Sequence, residues 1–390
     1  MNEPDSENDF SLIPYSSREL AVPKGAENRI LSEMIESSLA LARESDTRKS
    51  PKLQPTSADF WAAARAKPDF QSHQKEVTTR FRYISRAGLP TVRQDAHVDL
   101  DALVREGKTL YRSNGVGMTE ENIRAFRLFL RAAESGHSEA QNRLSICYHD
   151  GQGVPQDYWE AVKWLKKAAE QGHASGQFNL GVCYEKGEGL PQDYAEAVRW
   201  YRKAAEQGHA ASQVSLGHRF DKGQGVKQDY AEAAKWFRKA AEQGDAGGQN
   251  NLGCYYAKGQ GVPQDYGEAV RWLRKAAEQG HASGQNNLGV CYEKGEGLPQ
   301  DFAEAVRWYQ KAASQQHDVG QYDLGLCYHY GRGVPVDMLQ AYKWYRLAAD
   351  QGFTKAKEEA TALAGLMSPS EFESAHTLYR EFKDKDLVKE

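Results

Sequence analysis

The sequence predicts an all-α protein, a right-handed α-solenoid of about seven helix-turn-helix repeats with a C-terminal capping helix. An Asp-Tyr-x-Glu-Ala segment recurs every 36 residues, and self-similarity at such a period is typical of repeat proteins. Mean hydropathy is −0.75 with 27% charged residues, which argues against one thick core. Six of the eight Trp residues share one phase of the period: Trp164, Trp200, Trp236, Trp272, Trp308 and Trp344.

Each 36-residue unit contains two predicted helices, A and B. Helix A is expected over 173–186, where Gln177, Leu180 and Tyr184 recur at helical spacing. Gly187 ends helix A, and the Asp193 carboxylate caps helix B. A pair of short helices cannot bury both faces alone, so each unit needs its neighbours.

The Ala-x-x-x-x-x-Leu-Gly-x-x-Tyr helix A, the Gly-x-Gly-Val/Leu-Pro loop and the Asp-Tyr-x-Glu-Ala helix B closely resemble the Sel-1-like repeat family, a relative of the tetratricopeptide repeats. The resemblance covers roughly residues 100 to 383 and implies a protein–protein interaction scaffold. Three departures are local: Lys227 replaces the loop Pro, Gln316 replaces the closing Gly, and Gly267 stands inside one helix B.

Three regions are expected: an irregular, partly disordered arm with short helices over 1–98, the solenoid over 99–352, and capping helices with a tail over 353–390. Two amphipathic patches of the arm, 30–41 and 58–67, either fold back as an N-terminal cap or dock a partner. Basic and aromatic residues over 75–93 suit a nucleic-acid strip or a solvated linker, and the linker is favoured.

The charge balance excludes several partner classes. Lys+Arg 50 against Asp+Glu 54 gives net −4, so no overall field attracts nucleic acid or an anionic membrane. The N-terminus lacks a signal-peptide pattern, and no apolar run approaches the length of a membrane span. We therefore expect a cytoplasmic protein without nucleic-acid or membrane partners.

No residues converge on a catalytic or metal site in the predicted array. The carboxylates of helix B repeat identically, and an open stack offers no enclosed pocket, so no enzyme activity is expected. No Cys-x-x-Cys or His-Glu-x-x-His spacing occurs, so neither a metal nor a cofactor is predicted. The five cysteines are expected as buried thiols.

Binding is predicted on the concave side of the solenoid. The residues of helix A that do not pack on helix B should line this side. These positions vary between units, unlike the core. Asn side chains there suit the backbone of an extended peptide, and two aromatic residues suit apolar anchors; alternatively, Asn only solvates an exposed helix. The candidate groove residues are Asn142, Arg143, Phe178, Asn179, His218, Asn250, Asn251, Asn286, Asn287, Tyr322 and Asp323.

The sequence thus favours a non-enzymatic, monomeric adaptor that binds a peptide or partner helix in this groove. Two alternatives stay open. One is a hydrolase of the penicillin-binding or β-lactamase type, which the resemblance implies through disulfide-stapled relatives. The other is a self-assembling structural protein, because near-identical repeats such as 172–194 and 280–302 could stack between molecules.

Overall fold

The computed structural model describes residues 99–112 and 117–387, and the predicted arm of residues 1–98 lies outside them. The described residues form sixteen α-helices and no strand. The helices are α1 Leu100–Arg112, α2 Glu120–Glu134, α3 Ser138–Asp150, α4 Tyr158–Glu170, α5 Ala174–Lys186, α6 Tyr194–Glu206, α7 Ala210–Lys222, α8 Tyr230–Glu242, α9 Ala246–Lys258, α10 Tyr266–Glu278, α11 Ala282–Lys294, α12 Phe302–Ser314, α13 Asp318–Tyr330, α14 Met338–Asp350, α15 Thr354–Leu366 and α16 Pro369–Leu387.

Odd-numbered helices up to α13 are A helices, and each packs on the B helix that follows it, giving repeats 1 to 7. Each B helix also packs on the A helix of the next repeat. In addition, A helices of successive repeats touch each other directly, as α3 does with α5 and α9 with α11. The predicted α-solenoid is confirmed. Beyond repeat 7, both α15 and α16 pack against α14.

Helix boundaries follow the local chemistry of the sequence. The Asp193 carboxylate accepts hydrogen bonds from the backbone N–H groups of Ala195 and Glu196 at 2.8 and 3.0 Å and so caps α6. Gly187 ends α5 in the left-handed conformation. His173 caps α5, because its Nδ1 accepts from the backbone N–H of Gly176 at 3.0 Å. The repeating histidines therefore begin A helices, a role that the sequence analysis did not assign.

The loop between helices A and B lies against the preceding repeat. Gly189 has φ 71°, and a Cβ atom there would lie 2.2 Å from the carbonyl oxygen of Tyr158, at the start of the preceding B helix. Only glycine permits this backbone-to-backbone contact. The same loop position is held by Gly153, Gly225, Gly261, Gly297 and Gly333.

The predicted buried stripe of helix B needs one correction. Ala197, Tyr201 and Ala204 of α6 are buried, but Trp200 is only partly buried. The ammonium of Lys203, one turn later, lies 4.1 Å from the centre of the Trp200 ring. Trp200 and Trp308 therefore lie at the edge of the core, with a lysine over one ring face, whereas the other four Trp residues of this phase are buried.

Buried glutamines tie six of the seven A helices, α3 to α13, to the B helices on both sides. Nε2 of Gln177 donates to the carbonyl oxygen of Ala169 at 3.1 Å, while its Oε1 accepts from Nε2 of Gln207 at 2.7 Å. Each such bond stabilises the fold by about 1 kcal/mol. The same side-chain pair recurs in Gln141–Gln171, Gln213–Gln243, Gln249–Gln279, Gln285–Gln315 and Gln321–Gln351.

Candidate functional site

Most predicted groove residues are buried, which corrects the expectation that they line an open surface. They occupy the fifth, sixth and ninth positions of the A helices, which face the A helix of a neighbouring repeat. Eight of the eleven have at most 9% of their surface exposed: Asn142, His218, Asn250, Asn251, Asn286, Asn287, Tyr322 and Asp323.

The buried amides bond to one another across repeat junctions. Nδ2 of Asn287 donates to Oδ1 of Asn250 at 2.9 Å, so the sixth residue of α11 is joined to the fifth of α9. Asn179 makes the same bond to Asn142 at 3.0 Å, between α5 and α3. We call these two bonds the amide ladder. A ligand reaches Asn250 or Asn287 only if the A helices separate, because both are fully buried.

The ladder changes character at the other junctions. Nδ2 of Asn251 lies 3.2 Å from Nε2 of His218, which links α9 to α7. Burial lowers the pKa of His218 to about 3, so its imidazole is neutral in this contact at neutral pH. Between α11 and α13, Nδ2 of Asn286 donates to Oδ2 of Asp323 at 3.1 Å. Burial and, to a smaller extent, the nearby Glu293 carboxylate raise the pKa of Asp323 to about 8, although the hydrogen bond from Asn286 lowers it.

Phe178 and Tyr322 fill junctions where the ladder is interrupted. The Phe178 ring centre lies 5.7 Å from that of Tyr201 and 5.1 Å from that of His209. Tyr322 packs in the same way on Tyr345 in α14. Both rings, predicted as ligand anchors, therefore pack on the B helix of their own repeat and on the residue that precedes the following helix, His209 or Phe353. Of the two, only Phe178 is partly exposed.

The accessible part of the predicted groove lies on α3 and α5. Arg143, Phe178 and Asn179 are partly exposed, and so are Ile146 and Val182, the ninth residues of these helices. We call these five residues the A-helix patch. It combines apolar side chains with one amide and one guanidinium.

Charged side chains at the C-terminal ends of the A helices join neighbouring repeats. Nδ1 of His149 lies 2.6 Å from the Asp150 carboxylate, and its Nε2 lies 3.0 Å from that of Glu188. These two carboxylates raise the pKa of His149 to about 9. Arg219 and Glu185 form a similar ion pair at 3.3 Å. This row could not be predicted from the sequence, because its paired residues are 34 to 39 residues apart.

The described surface offers a shallow depression of about 470 Å³ on α12. All its lining residues, among them Trp308 and Lys311, belong to that one helix, so it does not enclose a ligand. None of the helices in the described part of the chain is long and apolar enough to cross a membrane.

A family model for the Sel1 repeat matches residues 107–137, 138–173, 174–209, 210–245, 246–281, 282–317 and 319–353. A solved protective antigen of uropathogenic Escherichia coli with an SLR fold is 39% identical, with a TM-score of 0.57 over 67% of this chain and 56% of the antigen. The chain thus spans little more than half of the antigen's length.

A Sel1 repeat protein from Oxalobacter formigenes is 34% identical, with a TM-score of 0.58 over 63% of this chain and 96% of that protein. No curated protein matches this chain. The seven matched repeats follow one another from residue 107 to residue 353, in the same order as the helix pairs described above. The chain belongs to the Sel1 repeat family.

Proposed function

We propose that this protein is a non-catalytic scaffold that binds a peptide or a helix of a partner protein on the A-helix patch. Sel1 repeat proteins generally act as protein-interaction scaffolds. The observation that carries the proposal is a difference in burial at one helix position. Val290, the ninth residue of α11, is 2% exposed, whereas Ile146 and Val182 at the same position of α3 and α5 are partly exposed.

The chemistry of the A-helix patch suits a short amphipathic segment. Ile146, Val182 and the accessible edge of Phe178 offer apolar contact, which supplies most of the binding energy at protein interfaces. The Asn179 amide uses one N–H on Asn142 and has a second donor and its carbonyl oxygen for a peptide backbone. Arg143 adds a cation for a carboxylate at the edge.

The state of the five cysteines is relevant to the hydrolase alternative and to the cellular location of the protein. Cys147, Cys183, Cys254, Cys291 and Cys327 are free, so the staple of the disulfide-linked relatives is not formed. The hydrolase alternative rested on those relatives and gains no support. Reduced, buried thiols favour a cytoplasmic location, which belongs to this proposal together with a monomeric state.

The test compares proteins captured by the wild type and by the double variant Ile146→Lys/Val182→Lys in affinity capture with mass spectrometry. Both side chains are partly exposed, so the variant should keep the wild-type circular dichroism spectrum. We expect its captured proteins to fall at least tenfold, because two lysines remove the apolar contact. Lys235→Glu, on the exposed side of α8, is the control and should capture normally. Equal capture by all three proteins would refute the proposal.

A further inference from the structure

The loop that follows α13 differs from the corresponding loops of repeats 2 to 6. In those loops a glutamine side chain donates to a backbone carbonyl of the preceding A helix, as Gln192 does to Glu185 at 2.7 Å. In four of them it also donates to a tyrosine hydroxyl two residues later, as Gln192 does to Tyr194 at 3.1 Å. Val336 and Met338 take the places of this Gln and Tyr in the last loop, and neither can make these bonds. The five glutamines are Gln156, Gln192, Gln228, Gln264 and Gln300.

The last loop exposes apolar side chains instead. Tyr330, Val336 and Met338 are 53%, 58% and 40% exposed. Val336 lies directly over Gly331, where a Cβ atom would come within 2.8 Å of its Cγ2. The Tyr330 ring stacks on His329 at 4.4 Å between centres, which holds it at the rim of the loop. We call Tyr330, Val336 and Met338 the loop patch.

The earlier loops fold with Gln and Tyr at these positions, so folding does not require the apolar residues of the last loop. Losing those hydrogen bonds and exposing three apolar side chains brings no gain in folding stability. Tyr330 itself stands where the four preceding A helices end in lysine. Leu366, the last residue of α15, is 83% exposed at the corresponding position, so the apolar character continues into the next A helix.

We propose that the loop patch docks a peptide segment of a partner protein that carries a large apolar side chain beside acidic residues. This site goes beyond the scaffold function proposed above, because it is a second surface in repeat 7, whereas the A-helix patch lies in repeats 2 and 3.

Positively charged side chains on the A helices before the loop patch favour a peptide with acidic residues beside its apolar side chain. Lys222 and Lys258, the last residues of α7 and α9, are exposed and form no ion pair within the part of the chain that the structure describes. They end successive A helices, at the position that Tyr330 occupies in repeat 7. Arg332 lies beside the patch, with its guanidinium 5.4 Å from the centre of the Tyr330 ring and paired with the Glu293 carboxylate at 2.9 Å, so Lys222 and Lys258 are the unpaired cations. Carboxylates of a bound peptide would meet these two ammonium groups.

The size of the loop patch argues against a second copy of this chain as its occupant. Three partly exposed side chains offer on the order of 300 Å² of surface. A stable dimer needs about 800 Å² from each partner. A short peptide with one or two apolar anchors matches the smaller area.

To test this, peptides are selected from a random dodecapeptide display library on the full-length protein. The affinity of the selected peptides is then measured by fluorescence anisotropy. The key variant, Tyr330→Lys/Val336→Gln/Met338→Tyr, restores the loop of the earlier repeats and should fold at least as well as the wild type. We expect selected peptides to combine an apolar residue with Asp or Glu. Their Kd should rise at least tenfold in this variant and also rise with added salt. It should be unchanged in Ile146→Lys/Val182→Lys.

Three outcomes would overturn the inference. The first is that no peptide distinguishes the wild type from the restored loop. The second is that selected peptides lose binding only in Ile146→Lys/Val182→Lys, which would support the A-helix patch and leave the loop patch without a role. The third is a concentration-dependent dimer in light scattering that the restored loop abolishes, which would make a second copy the occupant.

Discussion

Replacing Asp323 with Asn tests the junction between repeats 6 and 7. The Asp323 carboxyl group is buried between α11 and α13, where it accepts a hydrogen bond from Asn286. The titratable groups that interact with it are Glu293 of α11, Tyr309 of α12, and Tyr322 and Cys327 of its own helix. Burial raises the pKa values of both tyrosines and of Cys327 far above neutral pH, so all three stay uncharged between pH 4.5 and 8.5.

The free energy of unfolding depends on pH because the folded and the unfolded chain differ in how strongly Asp323 binds a proton. Burial raises the pKa of Asp323 from 3.8 to about 8, so the folded chain holds a proton that the unfolded chain loses. The free energy of unfolding therefore falls as pH rises from about 4 to about 8. Each unit is worth about 1.4 kcal/mol, so about three units up to pH 7 cost about 4 kcal/mol. The amide of an asparagine has no such proton, so Asp323→Asn should raise stability by about 4 kcal/mol at pH 7 and about 1 kcal/mol at pH 4.5.

Urea unfolding followed by circular dichroism at pH 4.5, 7 and 8.5 measures this difference. Asn287, the matching residue of repeat 6, provides the reverse experiment, because Asn287→Asp buries a carboxyl group at an equivalent junction. That variant should lose stability at pH 7 and recover most of it at pH 4.5. A constant difference between Asp323→Asn and the wild type across this pH range would refute the reasoning.

Two further predictions concern the backbone and the charged row. Gln316 stands in the left-handed region with φ 60°, so Gln316→Gly should raise the free energy of unfolding by about 1 kcal/mol. Gly280→Gln, at the same place in the preceding repeat with φ 87°, should lower it by a similar amount in the same urea titration. The pKa of His149 is raised to about 9 by two carboxylates, so its stabilising charge is fully present below pH 6.5 and is lost as pH rises through 9. Thermal unfolding should show His149→Gln less stable than the wild type at pH 6 by about 1 kcal/mol, allowing for solvent screening. The two proteins should converge near pH 9.5, and an equal gap at both pH values would contradict the role of that charge.

Helix boundaries could be predicted from the sequence because they depend on neighbouring residues. Asp193 caps α6 and Gly187 ends α5, as expected, through bonds that span only a few residues. The period of 36 residues also fixed which helices pair, since every unit repeats the same contacts.

The accessible surface could not be predicted in the same way. Val182 and Val290 are both valines at the ninth position of an A helix. Val182 is partly exposed, whereas Val290 is 2% exposed. Their difference depends on how closely each A helix approaches its neighbours, which is set by packing over several repeats. Residues that face away from helix B were expected to face solvent, but Asn250 and Asn287 each face the A helix of a neighbouring repeat.

A double-mutant cycle at Asn250 and Asn287 tests directly whether the amides between A helices stabilise the fold rather than bind a partner. Urea unfolding of Asn250→Ala, Asn287→Ala and the double variant gives the coupling free energy of the pair. The bond of 2.9 Å between two fully buried side chains predicts a coupling of about 1 kcal/mol, with partner capture unchanged in the double variant. A coupling near zero together with loss of capture would contradict the account.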